Sequence, residues 1–244
     1  DQAGMDINYA AGSAGNLTLV AGDDNGASAA VGTITLGALN LATGTATSAG
    51  TVTIEASTAN VTATSTVLDA AQSLVITGDE DVNLGQVTAA SLTANESSGI
   101  ITATSTTSAT TMTTGGGADV LTVNGAAVHT ISSGAGNDGI TVTNSSATST
   151  FDAGAGADTF TLDAATSVNA IVLIGGDGND DLQTDQDIDG VYVGGEGTDT
   201  LTITGGTLNL SNNANFALSS VEAINLTNAG GVTTISAAQL ANNG

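Results

Sequence analysis

Five aspartates, Asp119, Asp138, Asp158, Asp180 and Asp199, follow one another at spacings of 19, 20, 22 and 19 residues. Each closes a short glycine-rich segment: TGGGADVLT from Thr114, SGAGNDGIT from Ser133, AGAGADTFT from Ala153, GGDGNDDLQ from Gly175 and GGEGTDTLT from Gly194. The second and fourth positions are glycine in every copy: Gly115 and Gly117, Gly134 and Gly136, Gly154 and Gly156, Gly176 and Gly178, Gly195 and Gly197. Glycine there lets the backbone take positive φ and removes side chains that would hold carbonyl oxygens away from an ion. A carboxylate beside a run of accessible carbonyls is the donor set of a hard cation, and calcium takes six to eight such oxygens. These fifteen residues are therefore the candidate calcium ligands and the glycines that shape their corners.

Something must hold the five corners in line. The eighth position of each copy is apolar: Leu121, Ile140, Phe160, Leu182 and Leu201. Positions six and eight share a face of a strand, and the expectation is that the aspartate sits at the corner while the apolar residue enters the core. The segments between copies, VNGAAVHTIS, VTNSSATSTF and LDAATSVNAIVLI, lack the motif. The pattern predicts a solenoid with one row of calcium corners and one plain side. Stacked corners would share ions between neighbours, giving up to four sites between five aspartates.

The corner motif G-G-x-G-x-D-x-U-x resembles the calcium-binding nonapeptide of RTX proteins. The resemblance covers 114–202 and implies an all-β fold, a right-handed parallel β-roll or β-helix solenoid with calcium-binding glycine-rich corners. In that family two nonapeptides build one coil, whereas here the consensus appears once per coil. The flanking segments SLVITGDEDVNLGQVTAASL and NFALSSVEAINLT resemble the calcium-binding solenoid region of bacterial surface-layer proteins of the Caulobacter type. That resemblance implies an extracellular, calcium-dependent structural protein that self-assembles into a lattice or filament and leaves by type I secretion. Its partners would be copies of itself, with a cell-surface glycan as a candidate anchor. A calcium-stiffened repeat of a large secreted adhesin is the alternative.

Charge supports the same direction. The chain carries 24 acidic residues and no Lys or Arg, a formal net charge of −24. No carboxylate can find a Lys or Arg ion pair within the chain, and like charges pressed together destabilise a compact state. Thirteen of the acids fall in 114–202, ten in 1–113 and one, Glu222, in 203–244. A divalent cation is the simplest compensation where the turns are densest. Nucleic-acid binding depends on Lys and Arg neutralising phosphates, so that function is excluded. No apolar run approaches the length of a membrane-spanning helix. Without cysteine there are no disulfides or thiolate zinc sites. The chain is expected not to be an enzyme: a polysaccharide lyase on a parallel β-helix would share fold and calcium, but its chemistry commonly uses Arg or Lys.

The remaining sequence divides around the repeat. Residues 1–113 alternate β-branched and small polar residues, which predicts strands in further solenoid or in a β-sandwich. Their acidic turns, Asp23 and Asp24, then Asp79, Glu80 and Asp81, read as solvated turn residues, with extra calcium ligands as the alternative because adjacent acids repel one another unless a cation is near. Residues 203–244 read as terminal rungs or a cap without calcium corners. The stretch DQDIDGVYVGGE satisfies the spacing of an EF-hand loop with Asp185, Asp187, Asp189, Gly190 and Glu196. Its flanks read as strands, so a helix–loop–helix is not expected; the three aspartates are candidate ligands of a local calcium loop. Glu196 is expected to act through its backbone, and His129, the single histidine, to be structural.

Overall fold

The computed structural model describes residues 5–8, 16–21, 33–40, 50–69, 72–106, 111–145, 148–162, 169–184, 189–204 and 216–227, with backbone only for 5–8, 40, 169, 170 and 189. The chain divides into two compact units, 1–121 and 122–244. Among the described residues there is no helix; every element is a strand.

The first unit contains β1 (Met5–Asn8), β2 (Leu17–Ala21), β3 (Ile34–Asn40), β4 (Thr51–Ala56) and β5 (Val61–Val67). It continues through β6 (Ser73–Gly78), β7 (Val82–Thr88), β8 (Ser91–Thr93), β9 (Ile101–Ser105) and β10 (Thr111–Thr113). Successive strands fall alternately into two sheets, ordered β1-β3-β5-β7-β9 and β2-β4-β6-β8-β10. All the pairings are parallel. Parallel neighbours cannot be joined by a tight hairpin; here the strand of the opposite sheet makes the crossover. The unit is therefore a solenoid, and the sandwich that short alternating strands also permit is not formed. Its core is a set of inward columns in register, such as Val52–Leu74–Leu92–Met112, each member fully or nearly fully buried.

The unit boundary falls inside β11 (Val120–Asn124). The second unit continues with β12 (Thr130–Ser132), β13 (Gly139–Asn144), β14 (Thr150–Ala155), β15 (Thr159–Leu162) and β16 (Asn169–Asp177). Then come β17 (Asp181–Thr184), β18 (Asp189–Glu196), β19 (Thr200–Ile203), β20 (Ala217–Ser219) and β21 (Ala223–Leu226). It repeats the plan, with orders β13-β15-β17-β19-β21 and β12-β14-β16-β18-β20, again all parallel. Two columns fill its interior. Ile140, Phe160, Leu182 and Leu201 face inward from one sheet, and Ile131, Phe151, Leu173 and Tyr192 from the other. Tyr192 also lies against the Phe216 ring at 5.6 Å. The eighth position of every motif copy is thus a core residue, as the alternation predicts.

Candidate metal centre at the corners

The five motif copies lie where the chain passes from one sheet to the other: before β11, before β13, between β14 and β15, between β16 and β17, and between β18 and β19. The glycines at positions two and four are there because backbone stacks directly on backbone. Gly176 has φ 115°, and a Cβ on it would stand 1.8 Å from the Gly154 carbonyl oxygen of the coil before. Gly156 is similarly covered by Gly136, Gly178 by Gly156, and Gly197 by Gly178. Stacking lets the corners bond to each other: Gly156 N–H donates to the Asp177 carbonyl and Gly178 N–H to the Glu196 carbonyl, both at 2.7 Å. Glu196 does act through its backbone. In the first unit Gly117 stacks on Gly99, with the Gly99 carbonyl 2.3 Å from where a Cβ would be, and Gly115 on Ser97.

The aspartates stand at the corners, as expected, but their side chains turn inward. Asp119, Asp138, Asp158, Asp180 and Asp199 are all buried, at 2 % exposure or less. Strand parity explains the correction: position six lies two residues before a core position, so its side chain enters the same interior. The aspartate does not leave the core at the corner. It occupies the inward place that apolar Ile101 takes one coil before Asp119, and the Ile101 N–H donates to Asp119 Oδ1 at 2.7 Å.

Each inward carboxylate then does the same job. In the second unit Asp138 N–H donates to Asp158 Oδ1 (2.7 Å), Asp158 N–H to Asp180 Oδ1 (2.8 Å) and Asp180 N–H to Asp199 Oδ1 (2.8 Å). One carboxylate oxygen caps the backbone donor of the preceding coil at a corner where the ladder is interrupted. The residue before the aspartate reaches the other way where it is asparagine: Asn137 Oδ1 accepts from Ala157 N–H and Asn179 Oδ1 from Thr198 N–H. Sequence reasoning missed the last member of the ladder. Asp199 N–H donates to Glu222 Oε2 at 2.7 Å, so Glu222 stands 23 residues on as the sixth carboxylate. In the first unit only the forward-reaching contacts recur: Asn60 Oδ1 accepts from Asp81 N–H, and the exposed Asp81 accepts through Oδ1 from Ile100 N–H.

The second carboxylate oxygen is the chemically informative one. Oδ2 of Asp158, Asp180 and Asp199 is buried and accepts no hydrogen bond. A buried oxygen anion without a donor is costly. Burial raises the carboxyl of Asp158 from its ordinary 3.8 to about 6, against the lowering effect of the Asp138 N–H, and the charges of Asp138, Asp180 and Asp152 add to the rise. Burial likewise raises Asp180 and Asp199, each opposed by its backbone hydrogen bond and increased by the next acid, Asp199 and Glu222 respectively. At Gly175 and Gly194 these oxygens line a cradle that a side chain would fill. A Cβ on Gly175 would stand 2.3 Å from Asp180 Oδ2 and 2.5 Å from the Gly194 carbonyl oxygen. One on Gly194 would stand 2.5 Å from Asp199 Oδ2 and 1.8 Å from the Ser220 carbonyl oxygen.

This donor set fits calcium. It offers carboxylate and carbonyl oxygens only, and the Oδ2 atoms of Asp158, Asp180 and Asp199 are buried without a donor. No three acidic or histidine side chains converge among the described residues, so an ion here would take one or two carboxylates and complete its shell with backbone carbonyls. The chain residues that would hold it are Asp158, Asp180 and Asp199 with the carbonyls of their glycine corners.

The other candidates separate from this row. Asp185 and Asp187 lie outside the described residues, as does the side chain of Asp189. Asp189–Glu196 is strand β18, which puts Glu196 about 23 Å along an extended chain from Asp189, too far to close an EF-hand loop. His129 is buried; its Nε2 lies 3.0 Å from the Gly125 carbonyl and must carry the proton it donates there. Burial holds that imidazole below its ordinary value, against the raising effect of the Gly125 bond. Its backbone N–H donates to Ser149 Oγ, and its place is structural.

No protein-family model, curated protein or solved structure matches this chain.

Proposed function

We propose that the chain is a structural segment of an extracellular surface protein, a solenoid whose corners bind calcium and which then associates with copies of itself. The observation that carries the reading is the run of three successive buried carboxylates, each with an oxygen that accepts no hydrogen bond, in a chain with no Lys or Arg. A protein that must be compact at −24 needs a counter-charge, and calcium at extracellular concentration supplies it. The RTX-like corners and the surface-layer-like flanks agree with that assignment. Catalysis forms no part of it.

Self-association is favoured by one face. The outer side of β16 and β18 presents Val172, Ile174, Val191 and Val193 partly exposed and in register. Parallel sheets are ordinarily covered on both faces. Four bound calcium ions would reduce the formal charge from −24 to −16, lowering the repulsion that keeps copies apart. The test is light scattering with negative-stain imaging over a calcium series. Ordered assemblies should form above a calcium threshold and dissolve on chelation, with magnesium a poor substitute because it demands tight octahedral geometry. A chain that stays monomeric in millimolar calcium at high concentration would be a stiffened adhesin module instead.

A further inference from the structure

We propose that Asp199, Glu222 and the main-chain carbonyl of Ser220 form a calcium site outside the glycine–aspartate consensus, closing the row at its C-terminal end. The proposal rests on the reading that corner carboxylates bind calcium, and it concerns a corner, SSVE, that carries no motif glycine at all.

Three features meet there. Asp199 is fully buried, and its Oδ2 accepts no hydrogen bond. The Ser220 carbonyl oxygen packs against the same side of Gly194 as Asp199 Oδ2, so two acceptor oxygens converge there. Glu222 is bound to the corner through Oε2 on the Asp199 N–H, which leaves its second oxygen in reach of solvent on an exposed side chain. Two carboxylates and a carbonyl with no proton to share are stabilised by a hard cation. The preceding corner has the same plan, with Asp180 Oδ2 and the Gly194 carbonyl converging on Gly175. The first three copies carry Thr114, Ser133 and Ala153 at the equivalent position, so the close approach of carboxylate and carbonyl to a glycine is special to the last two. Position one of the motif thus distinguishes the last two corners from the first three. The final one is completed by Ser220 and Glu222, with Ser220 held in the left-handed region at φ 50°.

The site has a built-in reporter. The chain has two tyrosines and no tryptophan, and Tyr192 lies two residues before Gly194 on β18. The probe is terbium(III), excited through tyrosine in the full chain and displaced by calcium. Glu222→Gln keeps an oxygen for the Asp199 N–H and removes the charge. It should weaken calcium displacement of terbium by roughly tenfold or more, as loss of a group that shapes a metal's ligand shell does. Amide exchange at Asp199 should be unchanged without metal, which a merely structural role for Glu222 charge would not predict alongside the affinity loss. Gly194→Ala, placing a methyl group in the cradle, should abolish the tyrosine-sensitised signal if it folds. Tyr192→Phe should remove the signal while leaving calcium uptake by dialysis intact. If Glu222→Gln titrates like the unsubstituted chain while that chain binds calcium, this site is wrong and the corner reading survives. If the unsubstituted chain binds no calcium, both fall.

Discussion

Asp158 gives the sharpest test of what the buried carboxylates do. Asp158→Asn keeps an oxygen to accept the Asp138 N–H and removes the charge from an oxygen that accepts nothing. With the carboxyl raised from 3.8 to about 6 in the fold, ionising it costs the metal-free native state about 3 kcal/mol at pH 8, at about 1.4 kcal/mol per pKa unit. The sign follows from the direction. A raised native pKa means the protonated form stabilises the fold, fully below 3.8, with that stability lost as pH rises through about 6. In EDTA at pH 8 the asparagine variant should therefore be more stable than the unsubstituted chain, by up to about 3 kcal/mol. At about 2–4 °C per kcal/mol for chains of this size, that is a rise of roughly 6–12 °C in Tm. At pH 5 the unsubstituted chain should recover about half of the difference. In calcium at a thousand times Kd the order should reverse, because only the carboxylate gains from the ion, by about 4.1 kcal/mol. Thermal melts followed by far-UV circular dichroism in EDTA and in calcium decide it. A variant that melts lower than the unsubstituted chain in EDTA at pH 8 would refute the desolvation argument. A difference that ignores calcium would refute the ligand assignment.

Other substitutions separate the corner from its surroundings. Asp180→Ala removes the acceptor for the buried Asp158 N–H that Asp180→Asn would keep and should be about 1–3 kcal/mol less stable than Asp180→Asn without metal, whereas Asp177→Ala, on the exposed third position of the same corner, should stay within about 0.5 kcal/mol of the unsubstituted chain; chemical denaturation compares them. Gly156→Ala would put a Cβ 1.6 Å from the Gly136 carbonyl oxygen, and loss of the cooperative unfolding transition is expected. Phe160→Ala empties a fully buried place between Ile140 and Leu182 and should cost about 3–5 kcal/mol whether or not calcium is present, read from the same melts.

Much of the fold is legible because a strand's period of two leaves a pattern in any sequence that buries one face. Leu121, Ile140, Phe160, Leu182 and Leu201 were identifiable as core from their fixed offset behind each glycine corner, and the alternation in 1–113 marks strands without saying how they pair. Parallel pairing decides between solenoid and sandwich, and pairing is a long-range property. The aspartates are the instructive failure. Parity puts them on the same face as the apolar residue two places on, yet their charge suggests a place at the rim. The interior accepts Asp119, Asp158, Asp180 and Asp199 because each finds a backbone N–H one coil away, and that partner is 18 to 22 residues distant. Glu222 escaped notice for a similar reason: its corner has no glycines, and only three-dimensional stacking places it after Asp199. Gly175 and Gly194 look like ordinary consensus glycines until the carboxylate oxygen packed against each is seen.

Equilibrium dialysis with radiolabelled calcium at neutral pH tests the central claim most directly, comparing the chain with a variant carrying Asp158→Asn, Asp180→Asn and Asp199→Asn together. Asparagine preserves the oxygen that caps the preceding coil and removes the charge, so the fold should persist in both. The unsubstituted chain should bind several calcium ions, saturating within the millimolar range, and the triple variant should bind clearly fewer. An unsubstituted chain that binds none, or a triple variant that binds as many, would contradict it.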